Sequence, residues 1–297
     1  MKMRLCTSLT LVAFLIIVMQ SACNKSTAYN STPPPPPAPP AVKEITLQSN
    51  TTLGDYLVDK DGRTLYFFAN DADGKNHCIA ACALKWPVFN VENINADQLG
   101  AGLNSTDFGQ ITTPAGTKQV TYKGWPLYYF APLTNGANVP EAPGQTSGDN
   151  VLGLFFVGKP DYTIMIVRSQ LVGYDGKNYK ANFTEGDETT TYFSDGKGLT
   201  LYTFSLDGPN KNNWTTADFS NNSLWPIYET DKVVVPSALD KTLFGSISVF
   251  GKKQLTYKGW PLYHFGQDGD TRGLNQGISF PQPGVWPVAA TTIPVAQ

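Results

Sequence analysis

The chain has little charge. Asp, Glu, Lys and Arg make up 15% of its 297 residues, against roughly 25% in an average soluble protein. The 22 basic and 24 acidic residues nearly cancel, so there is no cationic excess to neutralise phosphates, which argues against nucleic acid as a partner. Histidine occurs only as His77 and His264, and Met165 is the single methionine beyond residue 19. That composition leaves little material for a multi-histidine or methionine-rich metal site. Gly-x-Ser-x-Gly, His-Glu-x-x-His and phosphate-loop patterns are missing, so the motifs assign no catalytic residue, no metal and no cofactor. A carboxylate pair assembled only in three dimensions stays open. What is plentiful is aromatic: 12% Phe, Trp and Tyr, which excludes disorder over most of the length.

Residues 1–22 read as a secretory signal, with Lys2 and Arg4 as its positive start, the apolar run Leu9 to Met19, and Ser21-Ala22 before Cys23. The apolar run of 11 residues is about half of what a helix needs to cross a hydrocarbon core roughly 30 Å thick. Small residues directly before a cysteine resemble the lipobox of bacterial lipoproteins, in which that cysteine becomes the first mature residue and carries acyl chains such as palmitate. Gln20 stands where that pattern usually has Leu. The resemblance implies lipidation at Cys23 and a place in the bacterial cell envelope, at the outer membrane, with the membrane as partner through the anchor. An ordinary cleaved signal is the plainer alternative. Loss of Lys2 and Arg4 with the signal moves the net charge from −2 to −4. Residues 23–42 contain the run PPPPPAPP at 33–40, a stiff polyproline II spacer that would act as a tether.

The remainder is one module used twice. Gln119 to Phe130, QVTYKGWPLYYF, returns as Gln254 to Phe265, QLTYKGWPLYHF, identical at ten of twelve positions. Tyr56, Thr64, Leu65, Tyr66, Phe68 and Asp71 match Tyr192, Thr200, Leu201, Tyr202, Phe204 and Asp207, and Trp86-Pro87 matches Trp225-Pro226. We place the first module at 43–160, the second at 161–290 and a C-terminal tail at 291–297. A finer echo lies inside each: Leu-Tyr-x-Phe occurs at Leu65, Leu127, Leu201 and Leu262. In a strand the Tyr and Phe of this tetrad share one face, and Leu and the variable residue share the other. Turn formers such as Asp61-Gly62, Lys123-Gly124 and Lys258-Gly259 bound these segments and predict hairpins. Leu154 to Val157 and Tyr162 to Val167 also read as strands. Short helices are expected around Cys78 to Lys85, Ala96 to Gly100 and Ser237 to Leu243, the last with Ser237 as its N-cap. The fold class is mainly β: two tandem homologous antiparallel β modules with short helical insertions.

Tyr66-x-Phe68-x-x-Asp71, Tyr202-x-Phe204-x-x-Asp207 and Tyr263-x-Phe265-x-x-Asp268 fit the Tyr-x-aromatic-x-x-Asp motif. With Cys78, Cys82, Trp86-Pro87 and Tyr122-x-Gly124-Trp125-Pro126-Leu127-Tyr128, they resemble a bacterial lipoprotein family known as a secreted repeat of unknown function, here in two tandem copies. Two departures stand out. Asn213-Trp214 and their neighbours replace the cysteine pair in the second module, and Leu133 stands where the second tetrad of the first module would need Asp. The family brings no activity to carry over.

The candidate sites each have two readings. Cys78 and Cys82, outside the cytoplasm, are expected to pair as a structural clip. On a helix they would lie about 6 Å apart, within the roughly 4.4–6.8 Å a disulfide spans. The alternative is a redox or electron-transfer centre that adds His77. Asp71, Asp207 and Asp268 read as turn caps, or, through Asp71-x-Asp73 and Asp268-Gly269-Asp270, as oxygen donors to calcium. Trp125, Tyr128, Trp260 and their aromatic neighbours read as small cores, or as sugar-binding faces. His264 occupies the variable tetrad position, a poor place for a general base. The expected function is non-catalytic: an anchored envelope protein that binds a ligand, another envelope protein or a glycan, or has a structural role. The alternatives are the redox accessory protein and a carbohydrate-binding module.

Overall fold

The computed structural model describes residues 41–297. The signal segment, Cys23 and residues 23–40 of the tether lie outside the described residues.

Each module opens with a long hairpin. Ile45–Asn50 pairs with Gly54–Asp59 in the first, and Met165–Val172 with Thr189–Ser194 in the second. The second hairpin carries a larger excursion at 173–188, with Asn178–Tyr179 as a side strand. Each module also holds a three-stranded meander: Phe108–Thr112, Lys118–Tyr122 and Trp125–Pro126, then Phe244–Val249, Lys252–Tyr257 and Trp260–Pro261. The tight corners are the predicted Lys-Gly pairs. Lys123 and Gly124 have φ of 48° and 78°, and Lys258 and Gly259 have 50° and 83°. Positive φ at both central positions is what a type I′ turn needs, and it matches the twist of the flanking strands.

The centre of each module is a ladder of four segments with two-fold internal symmetry. Val88 bridges Tyr128, Tyr128 bridges Tyr66, and Tyr66 pairs with Val157. The second ladder runs Ile227, Tyr263, Tyr202, Val288. Thus Trp86-Pro87-Val88, Phe155–Val157, Trp225-Pro226-Ile227 and Trp286-Pro287-Val288 are four versions of one element, each pairing with the tetrad of the opposite half.

Only Tyr66–Phe68 extends into a regular strand; the other three tetrads keep single bridges. The partners explain this. Phe155–Val157 has an N–H at every position, whereas the other three partners have proline in the middle, which cannot donate to a ladder. The faces alternate as expected: Tyr66 and Phe68 pack in one buried cluster, Leu65 and Phe67 in another.

Residues 41–297 form one compact unit, and the largest apolar cluster draws on both modules, joining Phe67 and Trp125 to Met165, Tyr202 and Trp225. Among the described residues helix is confined to Ala81–Lys85 and isolated 3-10 turns. The turn expected over Ala96 to Gly100 is Ala96–Gln98, closed by a capping box between Asn95 and Gln98. The helix expected from Ser237 is shorter: it spans Lys241–Leu243, and Asp240 is its cap, accepting the Thr242 N–H at 2.9 Å. Among the described residues no helix is long and apolar enough to cross a membrane.

Candidate functional site

The motif residues meet as crossed clamps. Tyr128 donates to Asp71 Oδ2 at 2.5 Å, Tyr263 to Asp207 Oδ2 at 2.7 Å and Tyr202 to Asp268 Oδ2 at 2.7 Å. In every case the tyrosine of one half serves the carboxylate of the other. The second carboxylate oxygen gathers its own loop: Asp71 Oδ1 accepts the His77 N–H at 2.9 Å, Asp207 Oδ1 that of Asn213 at 2.7 Å, and Asp268 Oδ1 that of Gln276 at 3.1 Å.

Leu133 does not break the pattern. It is exposed, and Glu141 supplies the missing carboxylate, accepting from Tyr66 through Oε1 and from the Ser147 N–H at 3.0 Å through Oε2. Sequence reading missed Glu141 because it lies eight residues beyond the expected site. The available signal was an isolated acid between Pro140 and Pro143.

Burial dominates the electrostatics. It pushes the carboxyl of Asp71 up to about 8 and those of Asp207 and Asp268 to about 6, against the opposing pull of the tyrosine and backbone donors. Burial, reinforced by the adjoining carboxylates, raises the four clamp phenols above their ordinary value. All four carboxylates are buried and engaged on both oxygens.

The motif aromatics fill the interior. Trp86 stacks on Phe155 and Trp225 on Trp286, each with ring centroids 3.7 Å apart. Phe68, Trp125, Phe204 and Phe265 are buried; Trp260 is partly exposed at the edge of its meander. Cys78 and Cys82 form a disulfide, Cα to Cα 5.1 Å, with Cys78 buried. His77 is directed to Asp73, Nε2 to Oδ1 3.0 Å. Among the described residues no three His, Cys, Asp or Glu side chains are placed to hold a metal ion. His264 lies 3.7 Å from Asp195, and burial holds its pKa below the ordinary value.

Open space lies at the module boundary. One cleft of about 430 Å³ is lined by Asn70, Asp73 and His77 from the first module and Arg168, Gln170 and Asn275 from the second. A larger one of about 900 Å³ is lined by Asp107, Phe108 and Lys123 on one side and Asp195, Lys197 and Tyr228 on the other. Arg272 pins the boundary. Its Nε donates to Ala72 O at 2.6 Å and its Nη1 to Lys123 O at 2.9 Å, while the guanidinium lies 4.8 Å from the Trp125 ring centre. Burial lowers its pKa to about 10. Trp125 Nε1 donates across the boundary to Gly196 O at 2.9 Å. Neither Arg272 nor the clefts were legible in the sequence, since both depend on how the modules meet.

Fold and clamps together define a tandem-repeat β protein whose signature residues are internal ties. The model of a lipoprotein family described as a secreted repeat of unknown function matches residues 49–90 and 109–132. Both stretches lie in the first module and contain its two tetrads. No curated protein and no solved structure matches the chain.

Proposed function

We propose that the protein is a lipid-anchored component of the bacterial envelope that works by binding, through the boundary between its modules, and not by catalysis. One observation carries this reading: all four clamp carboxylates and their tyrosines are spent on each other and on backbone N–H groups, so the motif is architecture and the free chemistry lies in the clefts. The signal, Cys23 and the proline tether support anchoring, and the secreted repeat supports an extracytoplasmic location.

The larger cleft favours a glycan as ligand. Half-buried Phe108 offers a ring to sugar C–H groups, half-buried Asp107 offers acceptors to hydroxyls, and exposed Lys123 and Lys197 offer donors. Fractionation of cells expressing Cys23→Ser tests the anchor: release into the soluble fraction is expected, and unchanged membrane retention overturns it. Calorimetric titration with neutral and acidic envelope oligosaccharides tests the ligand. Saturable heat that Asp107→Asn abolishes is expected; heat unaffected by that substitution, or none, overturns the glycan reading.

A further inference from the structure

The two meander edges present the same groups and are covered by different things. On the first, Lys123 O accepts from Arg272, Trp125 Nε1 donates to Gly196 O, and Gly124 lies against the Arg272 guanidinium. On the second, Lys258 O accepts the Ala296 N–H at 3.0 Å, Trp260 Nε1 donates to Pro294 O at 2.9 Å, and Gly259 lies against Ala296. The chain reaches both places by one route, since Lys123 Nζ donates to Pro160 O and Lys258 Nζ to Thr291 O. The short segment Thr291–Ala296 thus occupies on the second module the place that the second module occupies on the first.

The complementary face exists in a free form. The groups that dock onto the first module come from the turn Asp195–Gly198 and from Arg272. Matching bonds identify their counterparts in the first module. Gly273 N–H donates to Gly198 O as Gly144 N–H does to Gly62 O, both at 2.9 Å. Thr200 donates to Leu274 O as Thr64 does to Gln145 O. The counterparts are therefore the turn Asp59–Gly62 and Pro143, where Lys60, Asp61 and Pro143 are exposed.

We infer that the Lys258–Gly259–Trp260 edge is a docking surface for the first module of a second copy of this chain, held shut by the segment Thr291–Ala296. Docking places Lys60 O of the incoming copy where Pro294 O now accepts from Trp260. The contact joins two different faces, so it propagates head to tail and does not close as a pair. Thr291, Thr292, Pro294 and Val295 are exposed, whereas Ile293 is half-buried against the apolar clusters and Ala296 is buried, so these two side chains are what hold the segment on the edge and keep it shut. Pro143 in place of the arginine keeps the second-copy contact weak while the segment is in place.

Sedimentation velocity over a concentration series tests this on the full chain, the chain lacking residues 291–297, and the shortened chain carrying Pro143→Arg. The full chain stays monomeric. The shortened chain associates with increasing concentration, Pro143→Arg tightens that association by about tenfold or more, and Trp260→Phe, which removes the indole N–H, weakens it. Where the shortened chain fails to fold, full-length Ala296→Glu serves instead, because a long charged side chain against Gly259 expels the segment. Folded but monomeric Pro143→Arg forms of the opened chain overturn the inference, as does association indifferent to Trp260→Phe.

Discussion

Trp214 in the second module stands where Cys78 stands in the first. The residues just before them, Asn213 and His77, give their backbone N–H to the equivalent carboxylates of Asp207 and Asp71. One position further back, Asn212 and Asn76 donate to Gln254 at 2.8 Å and Gln119 at 2.7 Å. The Trp214 ring meets Phe204 and Trp286 edge-on at 5.4 and 5.2 Å; Cys78 packs in the cluster of Phe68, Trp86 and Phe155. Cystine and indole fill the same corner of the same fold.

This equivalence predicts that the cystine acts by packing and cross-linking. Cys78→Ser with Cys82→Ser should lower stability by about 2 kcal/mol, as expected for so short a closed loop, while preserving the fold. Thermal unfolding of the double variant, and of the wild type with a reductant, should show the same drop. Equal melting temperatures with and without the bond contradict this account.

The clamps should be individually costly to open. Tyr128→Phe leaves a buried carboxylate oxygen of Asp71 without its donor and should cost about 1–3 kcal/mol. Tyr66→Phe should do the same through Glu141. Tyr174→Phe, at an exposed ring, should stay within about 0.5 kcal/mol. Chemical denaturation of the three variants measures the contrast.

Stability should fall as pH rises through the neutral range. The folded carboxyls of Asp71, near 8, and of Asp207 and Asp268, near 6, lie above the ordinary 3.8. The folded state therefore binds more protons than the unfolded one between those values. That contribution is present in full below about pH 4 and is lost as pH climbs past 6 and then 8. Asp73 and Arg272 act on Asp71 in opposite senses, raising and lowering its pKa. Melting temperatures between pH 4 and 9 should decline, and Asp71→Asn should flatten the upper part of the curve. A melting temperature that climbs across this window is incompatible with the assignment.

Arg272→Ala should loosen the module boundary. It leaves the carbonyls of Ala72 and Lys123 without a donor and uncovers one face of Trp125, at about 2–3 kcal/mol. Arg272→Lys should recover only part of this, because an ammonium lacks the planar fork that reaches both carbonyls. A red shift of tryptophan emission and earlier unfolding are the readouts.

The duplicated module, the Lys-Gly hairpins and the two faces of the Leu-Tyr-x-Phe tetrad were legible because each rests on local spacing. The ladder length was not. It depends on whether the partner strand has proline, and the partners were unknown until Trp286-Pro287-Val288 and Phe155–Val157 were seen to repeat Trp86-Pro87-Val88. Asp71, Asp207 and Asp268 were legible as turn caps on their own loops, but their second partner is a tyrosine some sixty residues away in three cases. Glu141 was hidden for the same reason: a longer side chain at a shifted position satisfies the same phenol, and spacing carries no trace of that exchange.

The crossed wiring of the clamps also constrains how such a chain can grow. Each half lends its phenol to the loop of the other and receives a strand from it, so a single half leaves a buried tyrosine, an open loop and an unpaired ladder edge. Halves can diverge, as Glu141 and Trp214 show, but the heritable unit is the pair. New members of this architecture should therefore lengthen by whole modules and not by single halves.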